Sequence, residues 1–308
     1  MLKRDGSRLR RCVAAFLLAS LLLLPSANCF AWGPGGHMMT AYIAFQRLNS
    51  KAKAECRRLL ALPIDPVSET NKTTDFVHAS NWADALRPFP QFKPTLIEHF
   101  ADFPFSVDST PVPTNLPDAD NVIVALEHNV DILKNGTDDN ARAQALRFII
   151  HFVGDIHQPL HCSTRVDSSH PQGDRGGNDF FVKVKGTNGK VNTIKLHSYW
   201  DGGLDSFPKG GGPPNFEPPP LSKIPPAVKT AVRGNPATNP LLHLDNPTDF
   251  AGWASESSDL AQRKAYDGLS SNDSPNAAYR REGRRIARRR VAWGGYRLAA
   301  LLNSIFPR

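Results

Sequence analysis

Residues 151–162 read HFVGDIHQPLHC, which places three of the chain's ten histidines and an aspartate within twelve positions. They sit in ARAQALRFIIHFVGDIHQPL (141–160), whose apolar residues recur at helical spacing until Pro159 stops or kinks the helix. A core needs none of these polar groups, whereas a metal ion would use several of them. His151 and Asp155 are four apart and share a helix face. His157 lies two beyond Asp155 and faces away from that pair, while His161 lies past Pro159 and is released to point elsewhere.

The same device recurs in HSYWD, which sets His197 and Asp201 four apart. Two His-x3-Asp pairs and an extra histidine amount to two half-built metal sites. Imidazole and carboxylate without thiolate suit zinc in a catalytic role, with manganese or iron as alternatives. The competing reading is a set of histidines satisfied singly, in the core or on helix surfaces. It fits His78, His128, His170 and His243, which have no such spacing, but not two spaced pairs together. Three further stretches add candidates: WGPGGH places His37 five residues after Trp32, ASNWADALR places Arg87 three after Asp84, and EHFADFP joins His99 to Phe100 and Asp102.

The N-terminus stands apart from this. MLKRDGSRLRR is basic, CVAAFLLASLLLL is apolar but too short to span a bilayer, and PSANCFA ends in small residues. That is the pattern of a secretory signal peptide, with cleavage expected after Ala31 and export to the periplasm or beyond. Its loss lowers the formal net charge from +8 to +4, too mild a value to name a partner. Cys56 and Cys162 remain, enough for one tentative disulfide but not for a disulfide scaffold. NKT (71–73) is a glycosylation acceptor if the host glycosylates.

Helical patterns run over 38–48, 121–136, 250–266 and 286–306 as well as 141–160. Strand signal is confined to 179–197, a hairpin turning at TNGK. Residues 207–226 are rich in proline and glycine and read as a surface loop or lid. Metal candidates lie on both sides of it, so 32–308 is read as one mainly α domain with one small β-hairpin. Seven arginines between Arg280 and Arg290 suggest either a nucleic-acid contact or, as the preferred reading, a solvated helix face.

Taken together, these stretches resemble the zinc-dependent nuclease family often called S-one/P-one, with bacterial zinc phospholipase C as a distant relative. The resemblance covers nearly all of the chain after Ala31, and H-x3-D-x-H-Q-P-L-H behind an N-terminal Trp is its most specific part. It implies a helical fold and three zinc ions. Asp84, His99, His151 and Asp155 would hold one, and His161, His197 and Asp201 another. The third would take the α-amine and carbonyl of Trp32, with His37 and a bridging Asp155. By general metal chemistry Asp84 would orient the attacking water, and Arg87, one helical turn later, would either clamp a phosphate oxygen or form a plain surface salt bridge. Phe100, Asp102 and Asn178, the last in GDRGGND, would contact the base. The segment between His161 and Gly176 is longer than the family pattern and leaves base contacts on that side open. The implied activity is hydrolysis of single-stranded DNA and RNA to 5′-phosphorylated products, with 3′-nucleotidase activity, by a monomer. The alternatives are a phospholipase C and a non-catalytic zinc-binding protein.

Overall fold

Most helices of this chain start where a short polar side chain caps them. In the computed structural model, which describes residues 32–64, 74–186, 188–211 and 217–308, Asn49 caps α2 (Ser50–Leu60) and Asn121 caps α4 (Val122–Asn135). Asp138 caps α5 (Asp139–Asp155), Asp249 caps α8 (Phe250–Leu260) and Asn276 caps α9 (Ala277–Ile305). Pro34 opens α1 (Pro34–Arg47), where its missing N–H costs nothing. Two short helices, α3 (Trp82–Ala85) and α6 (Leu196–Asp201), carry site residues. The expected signal peptide, the NKT acceptor, Thr187 and residues 212–216 lie outside the described residues.

The fold is mainly α, in agreement with the sequence reading. The hairpin is present as β3 (Phe181–Lys185) antiparallel to β4 (Val191–Lys195). A second, parallel pair joins β1 (Pro104–Ser106) to β2 (Thr164–Val166), outside the range where strand signal was read. Three residues per strand are too few to show a period of two. α5 ends at Asp155, four residues before Pro159, and a 3₁₀ turn over Pro159–Cys162 follows. The proline-rich segment also departs from the loop reading. Pro225 and Pro226 lie in the first turn of α7 (Ile224–Arg233), where proline is tolerated. α9 begins earlier than its apolar pattern because the arginine run is part of it.

Three apolar clusters form the core. The first joins α2, α4 and α5 through Leu59, Leu126, Ile149 and Phe152, and the second joins α1, α7 and α9 through Met39, Val228 and Val291. The third lies behind the hairpin and holds Leu160, Trp200, Tyr266 and Ile286. Cys56 and Cys162 are buried free thiols, so the tentative disulfide is not formed. Burial pushes both thiols up to about 12, which leaves them protonated and inert at neutral pH.

Candidate metal centre

α1 and α5 approach closely because Gly154 has no side chain. A Cβ there would stand 2.6 Å from Nδ1 of His37. The His37 ring instead stacks on that of His151, with centroids 4.0 Å apart. Asp155, one turn beyond His151, is wholly buried among imidazoles. Its Oδ2 lies 3.0 Å from His99 Nδ1 and 3.1 Å from His151 Nε2, and its Oδ1 lies 3.3 Å from His37 Nε2. Asp84 on α3 approaches from the other side, 3.8 Å from His151 Nε2 and 3.9 Å from His99 Nδ1. A separate group forms where the 3₁₀ turn meets α6. There His161 Nε2 and His197 Nε2 are 3.1 Å apart, with Asp201 Oδ1 3.7 Å from His197.

Among the described residues, three sets each bring one ligand atom per residue within 4.8 Å of the others: His37, His151 and Asp155; Asp84, His99 and His151; His161, His197 and Asp201. The third set is tied to the residue ahead of α1, since the Gly33 N–H donates to the Asp201 carbonyl at 3.0 Å. Trp32 itself is fully buried and meets Phe207 edge-on.

Protonation decides what such sets can do. Nδ1 of His151 lies 2.6 Å from the Ser80 carbonyl, Nδ1 of His161 is 2.7 Å from the His99 carbonyl, and Nδ1 of His197 is 2.7 Å from the Gly176 carbonyl. A carbonyl only accepts, so each Nδ1 carries a proton and each Nε2 is turned inward. The Nε2 atoms of His161 and His197 face each other 3.1 Å apart. Only a shared proton or a cation relieves that opposition, and second nitrogens anchored on carbonyls are how metal-binding histidines are held. In the first two sets, His99 Nε2, the His37 ring nitrogens and Asp155 Oδ1 are buried without a hydrogen-bond partner. The residues present fit divalent cations bound through nitrogen and carboxylate oxygen, as zinc is.

The electrostatics agree. Burial alone would raise Asp155, but the His151 charge and the close approach of the His151, His37 and His99 rings hold it well below the ordinary carboxylate value. Burial lowers His37 and His99. Burial would also lower His151, but the Asp155 and Asp84 carboxylates outweigh it and raise it.

Residues 32–307 match the family described as S1/P1 Nuclease. The chain belongs to that family. Among its relatives, Endonuclease 3 of Arabidopsis thaliana is 26% identical over 98% of this chain and 97% of its own length. Nuclease S1 of Aspergillus oryzae is 24% identical over 90% of this chain and 92% of its own, and Nuclease P1 of Penicillium citrinum is 25% identical over 55% and 57%.

Other candidates of this S1/P1 chain fall around the centre. Arg87 is bound to Asp84, its guanidinium 2.6 Å from Oδ1, with both side chains mostly buried. Phe100 is half-buried and exposes part of its ring. Asp102 is half-buried, and burial together with the nearby Asp174 charge pushes its carboxyl up to about 7. Asn178 is 3% exposed and uses its amide inside the fold, donating to the Arg175 carbonyl and accepting from Lys195. The longer segment after His161 is held down by β2, by the Asp167–His170 bridge and by the Arg165–Asp167 pair.

Several residues at the centre carry no mark in the sequence. Gln158 donates to Asp201 Oδ1 at 2.8 Å, and the only hint of it was its place within the histidine stretch. Ser80 and Gly176 act through carbonyls, which every residue type possesses. His157 stands outside the centre: its Nδ1–H donates to the Val153 carbonyl and its Nε2 accepts from Arg297. Burial and the Arg290 and Arg297 charges hold it neutral.

Proposed function

We propose that this chain is an exported, zinc-dependent nuclease that hydrolyses single-stranded DNA and RNA to 5′-phosphorylated products and also acts on 3′-nucleotides. The observation that carries this reading is the close grouping of His161, His197 and Asp201, with the two Nε2 atoms 3.1 Å apart, beside two further ligand sets that share His151. Three zinc ions are the proposed complement: one with Asp84, His99, His151 and Asp155, one with His161, His197 and Asp201, and one with His37, Asp155 and Trp32. The Trp32 contribution would be its α-amine and carbonyl, available only after cleavage behind Ala31. Bound zinc supplies Lewis acidity, which lowers the pKa of water and offsets phosphoryl charge.

The chain's own residues do the rest. Asp155 and Asp84 place two carboxylates among the imidazoles and balance cationic charge in a buried setting. Asp84 is ion-paired with Arg87, so a phosphate oxygen that draws Arg87 away leaves the Asp84 oxygen to orient an attacking water. Phe100 offers a ring face for stacking on a base. Asp102, partly protonated near neutral pH, both donates to and accepts from a base edge.

The experiment is turnover of purified mature protein on single-stranded DNA, RNA, 3′-AMP and phosphatidylcholine, with and without chelator. Chelator-sensitive cleavage of the first three supports the reading. Activity confined to the phospholipid would replace it with a phospholipase.

A further inference from the structure

Tyr266 lies far along the chain from every proposed ligand, yet it is linked by hydrogen bonds to one of them. α8 ends in a π-turn over Ala261–Ala265, where the Tyr266 N–H donates to the carbonyl of Ala261, five residues back. This wider turn adds a residue and sets the direction in which Tyr266 leaves the helix. The side chain runs into the third core cluster, edge-on to Phe105 and Phe180. There its hydroxyl donates to the buried Asp174 carboxylate, 3.0 and 2.9 Å from the two oxygens.

Asp174 in turn holds a strained loop. Its Oδ1 accepts the N–H of Arg165 and the N–H of Gly177, each at 3.0 Å. Arg175, Gly176 and Gly177 between them all have positive φ, 55°, 60° and 79°. The two glycines adopt positive φ freely, but at Arg175 it is strained and persists only where the surroundings impose it. The loop also has no room: a Cβ on Gly176 would lie 2.2 Å from the Leu160 carbonyl. This conformation turns two carbonyls toward His197. Gly177 accepts its backbone N–H at 3.2 Å, and Gly176 accepts its Nδ1–H at 2.7 Å.

We propose that Tyr266 and Asp174 are positioning residues for His197, which lock the left-handed loop so that the Gly176 carbonyl fixes the tautomer and aim of the imidazole against His161. The path is continuous: Tyr266 hydroxyl, Asp174 carboxylate, Gly177 N–H, Gly176 carbonyl, His197 ring. Neither residue touches the ligand set itself. The inference rests on the metal-centre reading above and assigns the rigidity of one of its three sets.

The test compares mature wild type with Tyr266→Phe, which keeps the ring and its packing but removes the donor. Zinc per chain is measured after dialysis against graded chelator. Unfolding of the metal-free protein is measured alongside. In Tyr266→Phe one ion should leave at roughly 10- to 100-fold lower chelator strength, the scale of outer hydrogen-bond partners of a metal site, while the others stay. kcat should fall, with KM for 3′-AMP unchanged. Asp174→Asn should loosen the same ion. In a His197→Ala background, Tyr266→Phe should have no further effect on zinc, because the path ends at His197. Wild-type zinc retention in Tyr266→Phe would overturn the proposal, as would an undiminished effect in the His197→Ala background. A loss of stability in the metal-free variant with zinc affinity untouched would also overturn it. If the wild type itself bound no zinc, the metal-centre reading would fall, and this inference with it.

Discussion

Asp155 and His157 are two residues apart and equally buried, but their partners differ. Asp155 is the carboxylate toward which His37, His99 and His151 turn. His157 has both ring nitrogens engaged by the protein, one on Val153 and one with Arg297. Asp155→Asn should therefore release zinc and lower turnover at least ~100-fold, the scale of lost transition-state electrostatics. His157→Gln should keep its zinc and lose about 1–3 kcal/mol of stability, the cost of a disturbed buried hydrogen bond. Elemental analysis and urea unfolding of both variants check this, and equal zinc loss in the two would contradict it. The pairs His151/Asp155 and His197/Asp201 were legible because four-residue spacing on a helix is a geometric statement. The carbonyls of Ser80, His99 and Gly176 were not legible, because only the backbone path decides which carbonyl meets which ring. Asn178 was named from its loop motif, but the same tight turns that make that loop turn its amide inward.

Between elements, α8 and α9 are joined by a clasp that the sequence reading treated as solvated charge. Arg290, the last of the seven-arginine run, is wholly buried, as is Arg297 two turns later. Both bind Glu256 of α8, at 2.6 Å for Arg290 and 2.7 Å for Arg297. Arg290 also donates to the carbonyls of His157 and Trp253. The other six arginines of the run are at least partly exposed, so the solvated-face reading holds for them. A run of one residue type hides which member points inward. That depends on where α8 packs, not on the run itself. Burial would raise Glu256, but the hydrogen bond from Arg297 and the charges of Arg290 and Arg297 outweigh it and hold its carboxyl below the ordinary value. A depressed folded-state pKa contributes stability that is present above the unfolded value, ~4.3, and lost as pH falls through the folded one. Glu256→Gln should cost about 3–5 kcal/mol at pH 7, as when one partner leaves a buried ion pair. Urea unfolding at pH 7 and at pH 3 should show that deficit shrinking at the lower pH, and a deficit independent of pH would contradict the clasp.

For the molecule as a whole, the proposed metal sets join helices from all three core clusters. His37 comes from α1, His151 and Asp155 from α5, and His197 and Asp201 from α6 beside Trp200. Metal removal should therefore lower global stability, by ~4 kcal/mol where free zinc exceeds its dissociation constant a thousandfold. Thermal melts with and without EDTA report it, and an unchanged melting temperature would separate the centre from the fold. The single mainly α architecture was legible because long helical periodicities dominate the chain. The tethering of the start of α1 to α6 was not, because one backbone hydrogen bond from Gly33 to Asp201 makes it. That tether brings Gly33, the neighbour of Trp32, against Asp201, and the proposed Trp32 ligand is its α-amine, since an amine binds zinc where an amide nitrogen does so poorly. One extra residue ahead of Trp32 should then leave a helical spectrum intact, remove one zinc ion and lower turnover at least ~100-fold. N-terminal sequencing with zinc content checks this, and an extended protein with full zinc and full rate would exclude the amine. The most direct test of the three-ion centre is elemental analysis of active protein that begins at Trp32, with turnover measured on the same sample. The account predicts close to three zinc ions per chain, and one ion or none in fully active protein would contradict it.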